Sequence, residues 1–184
     1  MIAYAITDPS TLDFNTLEDD LYYFSKHASM IVYRDKQTAH YEKNAQFFLN
    51  HAKGFDKVLL HSDYALAAKL GADGIHLKST QYENISKAKA LNLFVVVSTH
   101  TLEDAKEVEL LGADMITFSP IFDSPNKGKA LGVEYLKDIV SLVNVPVIAL
   151  GGILTQEQVS SCKGVGAKGF ASIRYFARKD LNSL

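Results

Sequence analysis

The chain has 184 residues, of which 47% are hydrophobic and 22% are charged, a composition typical of one folded domain and not of a disordered chain. Its formal net charge of −2 excludes a basic excess for non-specific binding to nucleic acid or to an anionic membrane. One cysteine, Cys162, excludes an internal disulfide and a cysteine-built zinc site, and the absence of a signal-peptide pattern or a long apolar stretch predicts a cytoplasmic protein.

Eight short apolar runs alternate with helical patterns along the chain. The predicted strands are Ile2–Ile6, Met30–Tyr33, Lys57–His61, Gly74–Leu77, Leu93–Val97, Met115–Phe118, Val147–Leu150 and Gly169–Ile173. Several of these runs are almost continuously apolar, which is typical of parallel strands buried on both faces. The pattern favours a compact (β/α)₈ TIM barrel, with an open doubly wound sheet as the alternative, and predicts one domain over residues 1–184.

Amphipathic stretches lie between the strands. One helix is predicted after the N-cap residue Thr101, because apolar residues recur there at helical spacing, namely Leu102, Ala105, Val108 and Leu111. Two further helical patterns are Ala65–Leu70 and Thr155–Lys163. A short repeat that begins at Gly71, Gly112 and Gly166 closes a helical pattern each time, which predicts a left-handed glycine cap before the next strand.

Ligands bind to a parallel barrel where the strands end, so the residues that follow each run are the candidate site. Arg34 and Lys36 are two residues apart, so both can point to one face and bind an anion; the alternative is a pair of exposed charges. Gly151 and Gly152, with a small-residue turn after the eighth strand, favour a phosphate site built from backbone N–H groups over a simple tight turn. Lys127, in the long loop after the sixth strand, is either a phosphate clamp or a solvated charge.

Histidine is the candidate acid or base near neutral pH. His61, at the end of the third strand, is the preferred candidate, and His100 is either a second one or a residue of a helix cap. His76 is equally compatible with a hydrogen-bonded core position. The remaining histidines, which are predicted to lie on the surface, are His27, His40 and His51. Cys162 is predicted to be buried on a helix.

Several motifs, taken together and in order, resemble those of the thiamine phosphate synthase/TenI family. They are Arg34–Lys36, Gly71–Leu77, Ser98–Ala105, Gly112–Asp114, Ser119–Phe122 and Pro146–Ile153. The resemblance covers nearly the whole chain and implies a (β/α)₈ barrel. In the synthase, a pyrimidine diphosphate ionises and a thiazole phosphate attacks the resulting cation, while magnesium helps the diphosphate to leave.

The resemblance also implies which residues bind the substrates. Arg34, Lys36 and Lys127 match residues that bind the diphosphate, and Ser98 matches the serine of the pyrimidine site. The residues that match the thiazole-phosphate site are Ser124, Pro125, Asn126, Gly152, Ile173 and Arg174.

Two departures from the family pattern concern the metal. Synthases have Asn-Asp at the end of the third strand, where this chain has His61-Ser62, and Gly-Gln-x-Asp after the fourth, where it has Lys78-Ser79-Thr80-Gln81. Both magnesium-binding aspartates are therefore absent, and Asp63 would replace one of them only after a shift in register. No metal ligand is predicted, and Mg²⁺ is expected only for a synthase.

The leading hypothesis is a TenI-like protein of thiamine biosynthesis that binds thiazole phosphate at the C-terminal face of the barrel and acts as a metal-independent thiazole tautomerase. Because Pro120 stands at the position of the tautomerase histidine, His61 or His100 would have to serve as the base. The alternatives are a divergent thiamine phosphate synthase and a non-catalytic phosphate-binding or regulatory protein. The expected partners are small phosphorylated thiazole or pyrimidine ligands, without nucleic acid or membrane, and a homo-oligomer is expected.

Overall fold

Eight parallel strands close into a barrel in the order of the sequence in the computed structural model, which describes residues 1–124 and 128–177. The strands are β1 (Ile2–Ile6), β2 (Met30–Tyr33), β3 (Lys57–His61), β4 (Gly74–Leu77), β5 (Phe94–Thr99), β6 (Met115–Phe118), β7 (Val147–Leu150) and β8 (Gly169–Ser172). Because β1 pairs with both β2 and β8, no strand edge is open. The predicted barrel is confirmed, and the open sheet is wrong.

Helices surround the barrel. They are α1 (Leu17–His27), α2 (Tyr41–His51), α3 (Tyr64–Leu70), α4 (Ile85–Ala90), α5 (Leu102–Leu110), α6 (Gly132–Leu142) and α7 (Gln156–Gly164). Single 3₁₀ turns precede α4 (Tyr82–Asn84) and follow β8 (Arg174–Phe176). Within residues 1–124 and 128–177, no helix has the length and apolarity needed to cross a bilayer.

The sequence signals for helix ends are confirmed. The Thr101 hydroxyl accepts a hydrogen bond from Asp104 N at 3.0 Å, and the Asp104 carboxylate accepts one from Thr101 N at 3.1 Å, which closes a capping box at α5. Thr155 and Gln158 form the same box at α7. Gly71 ends α3 with φ of 73°, the left-handed conformation that its position in the repeat predicts.

Side chains alternate between the barrel interior and the layer of helices. On β2, Met30 and Val32 pack inside the barrel, whereas Ile31 and Tyr33 pack against the helices. This alternation has a period of two residues, as in any strand. If the alternation continues past the end of β2, the Arg34 side chain points toward the mouth of the barrel.

The aspartates of the short repeat have a structural role at the opposite end of the barrel. Asp73 accepts a hydrogen bond from Val58 N at 2.7 Å, and Asp114 accepts one from Val95 N at 2.7 Å. Val58 and Val95 are the second residues of β3 and β5. Each aspartate therefore ties the start of one strand to the loop before the next, far from the strand ends where ligands bind.

Asp114→Ala should destabilise the protein more than the loss of its exposed ion pair explains. The substitution leaves the backbone N–H of the fully buried Val95 without its acceptor, a loss of about 1–3 kcal/mol in the free energy of unfolding. Lys89→Ala, which removes only the 2.6 Å ion pair with Asp114, should cost less than about 1 kcal/mol. Urea denaturation of both variants measures the difference, and equal losses would contradict the structural role.

Candidate active site

A cavity of about 550 Å³ opens at the carboxyl ends of the strands. The predicted site residues that line it are Arg34, Lys36, His61, Ser98, His100, Ser124, Gly151, Gly152, Ile173 and Arg174. Pro125, Asn126 and Lys127 lie outside the described residues. The volume of the cavity is within the range of small-molecule sites. The structure therefore brings the lining residues among the predicted set together around a space that a ligand can fill.

The alternation of the strands positions the side chains at the floor of this cavity. His61 and Ser98 lie two residues beyond Leu59 and Val96, which point into the barrel. His76, on β4 between them, also lines the cavity, and its ring centroid is 5.9 Å from that of His61. The floor is thus polar directly above an apolar barrel interior.

A buried chain of hydrogen bonds connects Tyr4 to Ser98. Tyr4 Oη lies 3.0 Å from His76 Nδ1, and His76 Nε2 lies 3.0 Å from Ser98 Oγ and 3.4 Å from Thr117 Oγ1. Tyr4 is fully buried, and His76 is the one hydrogen-bond partner of its hydroxyl among the described residues. If Tyr4 accepted from His76, its own hydrogen would be buried without an acceptor, which is costly.

Tyr4 therefore donates to Nδ1, and the tautomer of His76 follows. The hydrogen of the neutral ring is on Nε2, which donates to Ser98 Oγ and leaves the Ser98 hydrogen available to a ligand. Burial raises the pKa of Tyr4 well above its usual value, so Tyr4 keeps the hydrogen that it donates. Burial, with the charge of Arg34, lowers the pKa of His76 to about 3, so the ring stays neutral.

His61 is also held neutral. Burial, followed by the nearby His76 ring and then by the charges of three cations, lowers its pKa to about 2; the cations are Arg34, Lys78 and Lys36. Its Nδ1 shares a hydrogen bond with Ser62 Oγ at 2.8 Å. A histidine whose protonated form is this unstable is a weak general base, so its surroundings oppose the predicted catalytic role of His61.

His100 combines the two roles considered for it. Its backbone N–H donates to Asp104 Oδ2 at 3.0 Å within the cap of α5, while its ring lines the cavity. Nδ1 lies 2.8 Å from the Ser119 carbonyl oxygen, to which it donates, so Nε2 is the unprotonated nitrogen of the neutral ring. His100 therefore stays a candidate base.

The other histidines and the cysteine lie elsewhere. His27 and His40 are exposed, as predicted, whereas His51 is half-buried, with Nε2 3.3 Å from the Glu18 carboxylate. None of these three histidines is among the described residues that line the cavity. Cys162 is buried on α7, as predicted, and burial raises the pKa of its thiol to about 11.

The loop after β7 can adopt its conformation only with two glycines. Gly151 and Gly152 have φ of 98° and 69°. A Cβ on Gly151 would lie 2.7 Å from Pro120 Cα, and one on Gly152 would lie 2.6 Å from the Phe122 carbonyl. The neighbouring loop is fixed against this turn by a 2.9 Å hydrogen bond from Phe122 N to Gly151 O.

This loop and the one after β8 present unused backbone donors to the cavity. The N–H groups of Gly151, Gly152 and Ile173 donate to no residue in the described part of the chain. Ser172 Oγ donates to Ile153 O at 2.9 Å and holds the two loops together. Free N–H groups beside glycines form a suitable site for a phosphate group.

The ends of β3 and β4 do not provide the ligands that magnesium needs. Ser62 and Gln81, at the positions where the family pattern has aspartates, are hydrogen-bonded to each other through Gln81 Nε2 and the Ser62 carbonyl oxygen at 3.0 Å. Asp63 caps α3 by accepting from Leu66 N at 2.9 Å. The described residues contain no cluster of three acidic, histidine or cysteine side chains that could hold a metal. These residues therefore do not fit a protein-held Mg²⁺.

The polar residues that line the cavity without a binding role predicted from the sequence include Lys78 and Ser119. Lys78 directly follows β4, and Ser119 follows β6 with its carbonyl oxygen bound to His100. Tyr4 was missed altogether, although a tyrosine inside an otherwise aliphatic strand is a signal, because a buried hydroxyl needs a polar partner.

Comparison with known proteins gives consistent matches. The family model for thiamine monophosphate synthase matches residues 3–176. A protein of Aquifex aeolicus named "Putative thiamine-phosphate synthase 2" is 36% identical over 179 residues, which cover 94% of this chain and 96% of the relative. The thiamine-phosphate synthase of Caldivirga maquilingensis is 32% identical over 182 residues, which cover 92% of this chain and 85% of the relative.

A solved structure matches as well. Thiamine phosphate pyrophosphorylase from Pyrococcus furiosus has a TM-score of 0.80 and 26% sequence identity, with 94% of this chain and 85% of that chain covered. These matches agree with the resemblance inferred from the motifs and with the closed barrel.

His61→Gln should make stability less dependent on pH. The His61 pKa is about 2 in the folded protein and about 6.5 when unfolded, so unfolding takes up a proton between these values. The stability contributed by the neutral ring is present above about pH 6.5 and decreases as the pH falls. Between about pH 7.5 and 5.5, the variant should lose about 1.4 kcal/mol less than the wild type in the free energy of unfolding.

Urea denaturation at both pH values measures this effect. His27→Gln, at an exposed site, is the control and should keep the wild-type decrease. An unchanged pH dependence in His61→Gln would show that the His61 ring is not held neutral by its surroundings.

Tyr4→Phe should release the tautomer of His76. In the wild type, long-range ¹H–¹⁵N NMR spectra should show His76 with a hydrogen on Nε2 and none on Nδ1, because Tyr4 donates to Nδ1. Without that donor, both tautomers should be populated. Tyr22→Phe, at an exposed tyrosine, should leave the His76 signals unchanged. Finding the wild-type hydrogen on Nδ1 would reverse the direction assigned to the whole chain of hydrogen bonds.

Proposed function

The chain belongs to the thiamine monophosphate synthase family, and we propose that it joins a pyrimidine diphosphate to a thiazole phosphate and releases pyrophosphate. In the sequence analysis above, this synthase activity is the alternative to the leading tautomerase hypothesis. The names of the relatives favour the synthase. The observation that carries it is a cavity lined by two sets of groups suited to binding anions, cationic side chains and backbone N–H groups.

We assign the two anions to different parts of the barrel mouth. Free backbone N–H groups and Arg174 lie after β7 and β8, whereas Arg34, Lys36 and Lys78 follow β2 and β4. In a closed ring of eight strands, β7 is three strands from both β2 and β4, so the glycine turn after β7 is separated along the rim from these cations. A protein that joins two phosphorylated molecules needs both sites, whereas a thiazole tautomerase needs only the phosphate site.

The residues present suit the assigned chemistry. When the C–O bond of the pyrimidine diphosphate breaks, its electron pair goes to the diphosphate, and the lone pair of the thiazole nitrogen then forms the new C–N bond. No proton is transferred in either step. We assign the thiazole phosphate to Gly151, Gly152 and Ile173, and the Ser98 hydroxyl, as a donor, to an acceptor atom of the pyrimidine.

The other hypotheses have less support. A tautomerase requires a base. His61 is a weak base because its surroundings lower its pKa to about 2, and Pro120 has no titratable group. His100 is the remaining histidine candidate for such a base. Under the non-catalytic hypothesis, the protein would bind the phosphate ligands without turnover.

The direct test is a coupling assay with pyrimidine diphosphate and thiazole phosphate, with magnesium present and thiamine phosphate as the measured product. Gly152→Ala should lower kcat/KM at least about tenfold, because its Cβ collides with the Phe122 carbonyl and displaces the phosphate loop. Gly164→Ala is the matched control, since a Cβ there meets no atom within 4 Å, and it should keep wild-type activity.

Absence of product with the wild-type protein would refute the proposed coupling reaction. The same sample would then be tested for proton exchange on the thiazole carboxylate phosphate, where exchange identifies a tautomerase. Binding of thiazole phosphate without exchange identifies a non-catalytic protein.

A further inference from the structure

Positive charge is concentrated at the mouth of the barrel. Among the described residues that line the cavity, Arg34, Lys36, Lys78 and Arg174 are cationic, and Asp8 is the single carboxylate. The whole chain, by contrast, has a formal charge of −2. This concentration of charge attracts a ligand with several negative charges to this end of the protein.

The Asp8 carboxylate is already engaged within its own loop. Its Oδ1 accepts hydrogen bonds from Ser10 N at 2.9 Å and from Ser10 Oγ at 2.6 Å. Asp8 follows β1, whereas the family pattern places its metal ligands after β3 and β4. Asp8 is therefore poorly placed to replace either missing aspartate.

Lys78 occupies the region in which the family pattern has its magnesium ligands. Its backbone N–H donates to Gln81 Oε1 at 3.1 Å, and Gln81 in turn donates to the Ser62 carbonyl oxygen. These contacts fix the turn after β4 against the end of β3 and place Lys78 at the cavity. The charge of Lys78 reaches the His61 ring, where it contributes to lowering the pKa.

The charge at these three positions differs between the family pattern and this chain. Two carboxylates and the one divalent cation that they hold have a total charge of zero. Ser62, Gln81 and Lys78 together have one positive charge, which is covalently fixed. The side chains at these three positions therefore offer a diphosphate at least as much positive charge as the metal-loaded arrangement would.

We propose that this chain binds its diphosphate substrate and stabilises the departing diphosphate without a divalent cation, using Lys78 with Arg34 and Lys36. The proposal rests on the proposed coupling function and concerns the same site. As the C–O bond breaks, the electron pair moves to the diphosphate oxygen, and cations already in place stabilise the added charge. The step requires no proton and no further reactant.

The first experiment measures binding of inorganic pyrophosphate by titration calorimetry, in EDTA and then with magnesium. The wild type should bind with similar affinity in both. Lys78→Ala should weaken binding in EDTA about tenfold or more, because a charge-assisted contact is lost, and Lys78→Arg should restore most of it. Lys106→Ala, at an exposed position on α5, is the control for the change in net charge and should bind like the wild type.

A second variant restores the family pattern and tests the replacement in the opposite direction. Lys78→Gly, Ser62→Asp and Gln81→Asp are combined in one protein. Ser62 has φ of 72°, a conformation that aspartate tolerates better than most residues. This variant should bind pyrophosphate weakly in EDTA and at least about tenfold more tightly with magnesium, since two carboxylates can now hold the cation.

The outcomes separate this proposal from the coupling function. Pyrophosphate binding that requires magnesium in the wild type, or that is equal in Lys78→Ala and Lys106→Ala, overturns the proposal. The coupling assay, repeated in EDTA, is an independent readout. Product formed only with magnesium overturns metal independence and leaves the coupling function standing. Metal-free binding that depends on Lys78, without product in either buffer, supports the anion site and refutes the coupling function.

Discussion

The organisation of this protein depends on the closure of eight parallel strands into one barrel. Closure makes every strand end at the same rim, and the pleat makes every second side chain point inward. The inward positions are apolar through the middle of the barrel, as with Leu59 and Val96, and become polar at the next inward position of the same strands, His61 and Ser98. The site therefore needs no inserted domain, because the last inward residue of each strand and the loop after it are sufficient.

The apolar interior also determines what the histidines can do. His61 and His76 lie between the apolar barrel interior and cations at its mouth, and burial and positive charge both destabilise the protonated imidazole. A neutral ring is a directional hydrogen-bond group, and the Tyr4 hydroxyl decides which nitrogen of His76 donates. The cavity thus favours fixed hydrogen bonds and fixed charges over proton transfer, which suits a reaction that breaks a C–O bond and forms a C–N bond without moving a proton.

The sequence predicted the barrel well because the signals for it are local. The predicted strands agree with the structure except at β5, which runs from Phe94 to Thr99, and at β8, which ends at Ser172. Residues that follow each strand were found at the cavity because parallel strands share one rim. The chain of hydrogen bonds from Tyr4 to Ser98 could not be predicted, since it joins β1, β4 and β5 across the interior, and sequence spacing does not show which inward residues meet.

The replacement of the two metal-binding aspartates also involves a contact between residues that are distant in the sequence. Each replacement, considered alone in the sequence, is simply the loss of a ligand. In the structure, Gln81 donates to the Ser62 carbonyl oxygen and accepts from Lys78 N, a pair of bonds that an aspartate could not make because a carboxylate only accepts. The amide therefore links the ends of β3 and β4, at the positions where the family pattern has its two metal-binding aspartates. Gln81 provides this link, and under our proposal Lys78 provides the positive charge, so the two replacements complement each other.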